Sequence, residues 1–395
     1  MIYTDFQQKK LPLLGFGAMR LPLIPGTNQI DQEHTEKMVD YAMAHGVNYF
    51  DTAYPYHGGL SEVVISRILK KYPRESYYLA DKYPGHQLAS AYDPADIFED
   101  QLKKCGVEYF DFYLLHNVCE LSMPAYTSPK WGIVDYFVEQ KKQGRIRHLG
   151  FSTHASNDTV KQFLDVYGEH IEFCQIQLNY LDWTLQDAKG KCELLTKYNV
   201  PIWVMEPVRG GKLAKLGDAD MAALAAHRPD VSAAEWAFRW LQGVENIGVI
   251  LSGMSNMEQL VQNIGVFESH APLSSEEENT LMTIAEGMKN SVPCTGCGYC
   301  MKGCPMGLNL PELLAIDNDL RFAPGVNTAM RVDALPEDKR PSACIGCGAC
   351  TQICPQKIDI PGEMSNMVAL LAKTPSWAQI SREREEAAKK LKENR

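Results

Sequence analysis

Residues 47–53 read VNYFDTA, and residues 60–72 read LSEVVISRILKKY. The first stretch is a short, almost continuous apolar run, which is typical of a strand that is buried on both faces. The second stretch repeats its apolar residues three and four positions apart, which is typical of an amphipathic helix. The pair therefore predicts one unit of a strand followed by a helix.

The same unit recurs through residues 1–285. The seven other strand-like runs, each followed by a helical pattern, are LPLLGFGAM (11–19), YYLADKY (77–83), YFDFYLLH (109–116), RHLGFSTH (147–154), FCQIQLNY (173–180), PIWVMEP (201–207) and IGVILSG (247–253). Eight such units in about 270 residues are typical of a (β/α)8 TIM barrel. An open doubly wound sheet is the alternative, but LGFGAM lacks the G-x-G-x-x-G turn of the dinucleotide-binding form. Glycines after four helices, Gly46, Gly106, Gly144 and Gly168, are predicted to end them in the left-handed conformation.

Polar side chains follow three successive predicted strands. Asp51 and Tyr56 follow the second strand, Lys82 ends the third, and His116 ends the fourth. Because a barrel collects the carboxyl ends of its strands at one face, we expect these four side chains to share a pocket. Each of them alone is more often structural, but together they predict an active site.

These residue types suit the transfer of a proton to a developing alkoxide. A tyrosine is a weak acid, with a reference pKa of about 10. A lysine beside it favours the phenolate, and a buried carboxylate keeps that lysine charged and oriented. A histidine can orient a substrate carbonyl group.

The stretches FDTAYPYHGGLSE, ADK, YFDFYLLH, RHLGFSTH and VILSGMSNMEQLVQN together resemble the aldo-keto reductase superfamily, over roughly residues 1–265. The resemblance implies NAD(P)H-linked interconversion of carbonyls and alcohols by hydride transfer at the barrel mouth. It implies Tyr56 as the proton donor, tuned by Lys82 and Asp51, with His116 orienting the substrate. Tyr56 matches better than Tyr54, because the family's tyrosine follows its aspartate by five positions.

The resemblance also implies a site for the nicotinamide cofactor, NADP or NAD. Seven residues match its positions: Ser152 and Gln175 near the nicotinamide amide, Gly210 and Gly211 near the pyrophosphate, and Ser255, Gln259 and Asn263 near the adenosine.

Three departures from the family pattern bear on that site. Thr153 replaces a frequent asparagine, and Met205 replaces a frequent stacking tyrosine. Gly253 and Gln259 stand where many NADPH-specific members have a cation for the 2′-phosphate. Arg209 and Lys212 would compensate, or would be solvent-facing loop charges.

Two blocks of cysteines follow this region. Residues 294–305 read CTGCGYCMKGCP and residues 344–355 read CIGCGACTQICP, so that each has the spacing C-x2-C-x2-C-x3-C-P of bacterial [4Fe–4S] ferredoxins. Structural zinc sites use two separated cysteine pairs instead. By the ferredoxin rule the fourth cysteine serves the other cluster. One cluster would take Cys294, Cys297, Cys300 and Cys354, and the other Cys344, Cys347, Cys350 and Cys304.

The predicted organisation is a barrel over 1–285, a mainly helical dicluster ferredoxin-like domain with two [4Fe–4S] clusters over 286–370, and a charged helix or tail over 371–395. Ser274–Glu277 is predicted to form a capping box, and LNLPELLAIDNDL a helix. The start of the chain lacks the pattern of a signal peptide, which favours a cytoplasmic location. The net charge of −10, without a basic face, argues against nucleic acid as a partner, and no apolar run is long enough to cross a membrane.

Three functions remain open. The barrel reaction would be coupled to single-electron transfer through the clusters, with a ferredoxin or flavoprotein as electron partner. Alternatively, the chain would be a simple carbonyl reductase with structural clusters. A third alternative, suggested by Met205, is a redox-sensing protein that binds its cofactor without turnover.

Overall fold

The computed structural model describes residues 1–395 except 88, 289–291, 293, 295, 297, 323, 324, 355, 394 and 395. For residues 322 and 387–393 only the backbone is described. The chain divides into two compact units, one of 1–180, 188–281 and 387–395, the other of 181–187 and 282–386.

Eight parallel strands close into a barrel in the first unit, each paired with the next in the chain and the last with the first. The barrel strands are β3 (Leu14–Gly17), β4 (Tyr49–Asp51), β5 (Tyr78–Tyr83), β6 (Phe110–Leu115), β7 (Ile146–Thr153), β8 (Phe173–Gln177), β9 (Ile202–Met205) and β10 (Ile247–Ser252). Nearly all of their residues are buried, because strands lie inside and helices outside. The predicted barrel is confirmed.

Helices follow the strands as the sequence pattern predicts. Those of the first unit are α1 (Gln32–Ala44), α2 (Leu60–Leu69), α3 (Pro94–Cys105), α4 (Met123–Tyr126), α5 (Ile133–Lys142), α6 (Asn157–Tyr167), α8 (Ala188–Lys197), α9 (Asp218–Ala225), α10 (Ala233–Gln242) and α11 (Met257–Val266). Helix α3 shows why such a segment begins and ends where it does. The Asp93 carboxylate accepts hydrogen bonds from the amides of Ala95 and Asp96, and Gly106 ends the helix at φ 61°.

A hairpin closes the amino-terminal end of the barrel. Its strands β1 (Tyr3–Phe6) and β2 (Lys9–Pro12) pair antiparallel. The Phe6 ring lies 5.1 Å from the Trp203 ring and 5.7 Å from the Phe112 ring, inside the aromatic core of the barrel. The sequence pattern did not predict this hairpin.

The second unit is helical. Its α-helices are α7 (Asp182–Leu185), α13 (Tyr299–Lys302), α14 (Leu310–Phe322), α15 (Val326–Asp333), α16 (Ala349–Ile353) and α17 (Ile360–Leu371), with α12 (Ser275–Met288) and α18 (Trp377–Glu393) each lying partly in it. Its core packs the apolar faces of α14 and α17 around the cysteine-bearing α13 and α16. Helix α14 confirms the predicted LNLPELLAIDNDL helix.

Helix α12 begins with the predicted capping box. The Ser274 amide donates to Glu277 Oε2 at 2.7 Å and the Glu277 amide to Ser274 Oγ at 3.3 Å, which confirms the capping box before α12. Within the described part of the chain, no helix has the length and apolar character needed to span a membrane.

Candidate functional site

An ion pair between Lys82 and Asp51 lies at the carboxyl ends of β5 and β4. The Lys82 ammonium group donates to Asp51 Oδ1 at 2.5 Å and to the carbonyl oxygen of Thr52 at 2.7 Å. Lys82 is fully buried and Asp51 almost so. Burial alone would lower the pKa of Lys82, but Asp51 and Tyr56 raise it above its usual value. The lysine therefore remains a cation inside the protein.

Tyr56 begins a short 3-10 turn, Tyr56–Gly59, after β4. Its ring centre lies 4.9 Å from the Lys82 ammonium nitrogen. Burial raises the pKa of Tyr56, and Lys82 offsets only part of that increase. The phenol therefore stays protonated at neutral pH.

His116 follows β6, and its ring meets the Tyr56 ring edge to face with centroids 5.9 Å apart. Its main-chain amide donates to the Tyr83 carbonyl oxygen at 3.0 Å. The Tyr126 hydroxyl lies 2.8 Å from the His116 carbonyl oxygen and 3.1 Å from that of Tyr83. The structure thus brings all four predicted residues, Asp51, Tyr56, Lys82 and His116, into one group.

A second imidazole, which the sequence pattern did not single out, adjoins this group. His86 is buried in the turn after β5, and its ring centre lies 4.3 Å from that of His116. The turn approaches Tyr126 closely, because a Cβ atom at Gly85 would lie 2.7 Å from the Tyr126 ring. Only the fold reveals this pair, since no spacing in the sequence relates residues 86 and 116.

Ser152 and Gln175 are direct neighbours on the paired strands β7 and β8. Ser152 Oγ accepts the amide hydrogen of Asn117 at 2.8 Å. Among the described residues, the buried Gln175 Oε1 has no hydrogen-bond partner. A buried amide oxygen without a partner fits a ligand that brings its own donor, such as a carboxamide.

Gly210 and Gly211 lie in the 3-10 turn Arg209–Ala214 after β9, with φ of 65° and 94°. A Cβ atom at Gly210 would lie 3.0 Å from a guanidinium nitrogen of Arg20, and one at Gly253 would lie 3.3 Å from Arg20 Cδ. Arg20 is exposed and comes from the loop after β3. This cation beside both glycines is a residue that the sequence pattern missed.

Of the three residues predicted near the adenosine, Ser255 lies in the loop after β10, and Gln259 and Asn263 lie in α11. The Ser255 hydroxyl donates to the Arg20 carbonyl oxygen at 2.9 Å, and its amide donates to Gln259 Oε1 at 2.8 Å. Asn263 donates to Ser252 Oγ at 3.1 Å. Ser255 and Gln259 are therefore tied to each other, whereas Asn263 is bonded to the end of the strand.

The residues that depart from the family pattern differ in their burial and contacts. Thr153 is buried, and its hydroxyl donates to the Val118 carbonyl oxygen at 2.7 Å. Met205 is partly buried at the end of β9. Arg209 is buried and Lys212 is exposed.

The two cysteine blocks share a backbone conformation. Gly296 and Gly298 have φ of 70° and 74°, and Gly346 and Gly348 have φ of 71° and 74°. A short helix then begins in each block, which buries Cys300 in α13 and Cys350 in α16. Cys297 lies outside the described residues.

Six of the seven described cysteines in the two blocks lie in the core of the second unit or pack against it. Cys294, Cys304, Cys344 and Cys354 pack against it, and Cys347 is exposed. Burial raises the pKa of the Cys350 thiol, and the neighbouring thiols of Cys344 and Cys304 raise it further. The two blocks also meet in space, because a Cβ atom at Gly303, next to Cys304, would lie 2.7 Å from the Ile353 side chain of the second block. This proximity fits the crossed ligand set.

Among the described side chains, no three His, Cys, Asp or Glu residues converge on the position of one metal ion. A [4Fe–4S] cluster does not need ligands that converge on one ion, since its four thiolates each bind a different iron. Cysteine sulfurs around a shared apolar core, on matched glycine-rich loops, fit such a cluster.

Comparison with known proteins agrees with both parts of the chain. The Aldo/keto reductase family profile matches residues 13–286, and the 4Fe-4S dicluster domain profile matches residues 293–358. The chain therefore belongs to the aldo/keto reductase family, and it is an oxidoreductase that carries a 4Fe-4S dicluster domain. The resemblance read from the sequence is confirmed.

Individual relatives are distant. The chain is 25% identical over 304 residues to the NADH-specific methylglyoxal reductase of Escherichia coli, covering 70% of this chain and 84% of that protein. It is 23% identical to the L-galactose dehydrogenase of Arabidopsis thaliana, over 71% of this chain and 92% of that protein. An aldo-keto reductase structure from Bacillus halodurans has a TM-score of 0.58 and 24% identity, covering 72% of this chain and 96% of that one.

Proposed function

We propose that the barrel reduces carbonyl compounds to alcohols, and carries out the reverse reaction, with a nicotinamide nucleotide. The buried Lys82–Asp51 ion pair beneath Tyr56, at the carboxyl ends of the strands, is the observation that carries the proposal. An uncompensated charge is costly to bury, so a fully buried lysine paired this closely points to a role in the site.

Each of the four side chains at the site would have a separate role in the reaction. His116 orients the carbonyl oxygen of the substrate toward Tyr56. Tyr56 gives its hydroxyl proton to that oxygen as the carbonyl carbon is reduced, and later recovers a proton from solvent. Lys82 stabilises the phenolate that forms, and Asp51 holds Lys82 in place.

The cofactor would lie across the mouth of the barrel. When bound, its nicotinamide ring supplies or accepts the hydride. Ser152 and Gln175 would bind its carboxamide, and Gly210 and Gly211 would let the main chain approach the pyrophosphate. Ser255, Gln259 and Asn263 would face the adenosine. Arg20 supplies a positive charge beside Gly210 and Gly253, where the sequence lacks the family's usual cation.

We further propose that the second unit holds two [4Fe–4S] clusters, with the crossed ligand sets given above, and that the clusters carry electrons from the barrel reaction. When bound, the two clusters would accept one electron each: oxidation of the reduced nucleotide would release the two electrons of its hydride to the clusters and the proton to solvent. Those two electrons would then not reduce a carbonyl in the same turnover. A ferredoxin or a flavoprotein would be the external electron partner, and a small carbonyl or alcohol would be the substrate.

One experiment tests the coupling directly. The protein is purified without oxygen, its iron is measured with an expectation of about eight per chain, and NADH or NADPH is added while the cluster absorption is recorded. Bleaching of the cluster absorption without a carbonyl substrate supports coupling and ranks the two nucleotides. Unchanged absorption, together with normal carbonyl-dependent oxidation of the nucleotide, contradicts coupling.

A simple reductase with structural clusters is the second candidate. It is favoured by one observation, the packing of Cys300 and Cys350 within the apolar core of the second unit. Metal binding at such a place contributes to folding. Under this alternative, folded protein without iron would reduce carbonyls as fast as the complete protein.

A further inference from the structure

His57 has a main-chain conformation that a histidine rarely adopts. Its φ is 51° and its ψ is 39°, and Gly58 and Gly59 follow with φ of 65° and 90°. Glycine adopts this left-handed region freely, whereas a residue with a side chain is disfavoured there. The imidazole at this position therefore calls for a reason beyond the turn itself.

The His57 ring binds the loop after β3. The main-chain amide of Leu21 donates a hydrogen bond to His57 Nε2 at 3.2 Å. That nitrogen must be unprotonated in order to accept. Burial lowers the pKa of His57, and a hydrogen bond with the Met19 backbone offsets part of the decrease. The ring is therefore neutral at neutral pH, as the contact requires.

The same loop carries the cation of the candidate cofactor site. Arg20 immediately precedes Leu21, and its guanidinium group lies against Gly210 and its side-chain carbons against Gly253. Its carbonyl oxygen accepts the Ser255 hydroxyl hydrogen at 2.9 Å. One short segment, 19–21, is thus held by His57 on one side and by Ser255 on the other.

We propose that His57 is a positioning residue for nucleotide binding: by accepting the Leu21 amide hydrogen, it fixes the loop that places Arg20 beside Gly210 and Gly253. The proposal rests on the proposed function, because it assumes that a nicotinamide nucleotide binds there. His57 does not touch the reacting atoms, although it follows the proton donor in the chain.

Two substitutions separate the hydrogen bond from the strain. His57→Gly removes the ring and suits the backbone, whereas His57→Phe keeps a ring and the strain but removes the acceptor. Asn199→Gly is the matched control, since Asn199 is an exposed residue with φ of 55° outside the site. Thermal unfolding of each variant shows whether the fold is kept.

The first measurement needs no cofactor. Hydrogen exchange is followed by mass spectrometry in the peptide that contains Leu21. Both His57 variants should exchange the Leu21 amide about tenfold faster or more, and Asn199→Gly should not. Unchanged exchange in both His57 variants would overturn the proposal.

The second measurement is the Kd for NADH and NADPH, with kcat at saturating nucleotide. Loss of one hydrogen bond should weaken binding about fivefold to tenfold in both His57 variants, with kcat within about twofold. Faster exchange with unchanged Kd would overturn the proposal, as would a lower kcat with unchanged Kd. If the wild-type protein binds neither nucleotide, the proposed function fails and the role of His57 fails with it, even where Leu21 exchange responds.

Discussion

Lys82 and Asp51 form an ion pair that is buried from water. Single and double substitutions at these positions can therefore separate the effect of the pair on stability from its effect on catalysis. Lys82→Met leaves the Asp51 carboxylate buried without its cation. Breaking a buried ion pair in this way costs about 3–5 kcal/mol. We expect a lower midpoint in thermal unfolding together with loss of carbonyl reduction, both measured on the same preparation.

The double variant Asp51→Asn with Lys82→Met is the control for that prediction. It removes both charges, so it should regain much of the lost stability while remaining inactive. If Lys82→Met alone keeps wild-type stability and turnover, the ion pair has neither role.

Tyr56 is the predicted proton donor, and Tyr54 offers a matched comparison two residues earlier. The Tyr54 ring lies 3.8 Å from the Lys104 ammonium nitrogen, a contact that phenylalanine would keep. Tyr56→Phe should lower kcat for carbonyl reduction by about 10²–10⁴-fold with little change in the Kd for the nucleotide. Tyr54→Phe should stay near wild type. Equal losses in both variants would argue against Tyr56 as the donor.

Arg20 is an exposed cation beside Gly210 of the candidate cofactor site. Arg20→Gln should weaken NADH and NADPH binding about fivefold to tenfold, since a charge-assisted hydrogen bond to a phosphate would be lost. Lys142→Gln, at an exposed lysine that ends α5, is the control. Titration of nucleotide fluorescence measures both, and unchanged affinity in Arg20→Gln for both nucleotides would contradict the assignment.

At the residue scale, the sequence predicted the polar residues at the carboxyl ends of the strands. The sequence identifies four of these residues, Asp51, Tyr56, Lys82 and His116. They could be found because consecutive strands of a barrel are neighbours, so residues at their carboxyl ends lie close together. Arg20 and His57 could not, because their contacts depend on how two loops bend. A left-handed histidine has no signature in the sequence.

At the scale of single elements, Glu172 connects the amino-terminal hairpin, α5 and β7. Its carboxylate accepts hydrogen bonds from Gln7, the Leu149 amide and the His148 ring, and pairs with Lys141 at 2.6 Å. Burial alone would raise the pKa of Glu172, but its bonds to His148, Lys141 and Gln7 lower it to about 2.

A pH dependence of stability follows from that pKa. The ordinary pKa of the group is 4.5, so its contribution is complete above that value and is lost as the pH falls toward 2. We expect Glu172→Gln to lower the free energy of unfolding at pH 7 by about 2 kcal/mol and to flatten its dependence on pH between 5 and 3. Denaturant unfolding at several pH values measures this. An equal slope in both proteins would show that other carboxylates dominate.

Helix ends show how far local chemistry determines an element. Gly46, Gly106 and Gly144 end their helices with positive φ, as predicted. Gly168 does not: its φ is −57°, because the chain continues into the 3-10 turn Gly168–His170. The identity of the residue alone could not distinguish these cases, since the following loop decides them.

At the scale of the whole molecule, the strand and helix periods and the cysteine spacing predicted a barrel followed by a dicluster domain. The hairpin was missed because its short strands, YTDF and KKLP, lack a regular alternation. Its Phe6 contacts strands far away in the chain, and no local pattern records that.

The iron content of the second unit would depend on its buried cysteines. Cys350→Ser places a weaker iron ligand within the core that the clusters would share, so we expect fewer than eight irons per chain and a lower unfolding temperature for this unit. Cys192→Ser, at a buried thiol in α8, is the control and should keep the full iron content. Iron analysis and calorimetry measure the two effects, and full iron content in Cys350→Ser would contradict the ligand assignment.

The pairing of β10 with β3 also determines when the barrel can close during synthesis of the chain. Leu14 pairs with Ile250, so the first barrel strand lacks one neighbour until the last has left the ribosome. At the usual rate of synthesis, about 5–20 residues per second, that wait lasts roughly 10 to 50 seconds. During it the aromatic side chain of Phe6 has no complete core to enter. The hairpin is therefore made before the barrel strands but is among the last parts of the barrel to be buried.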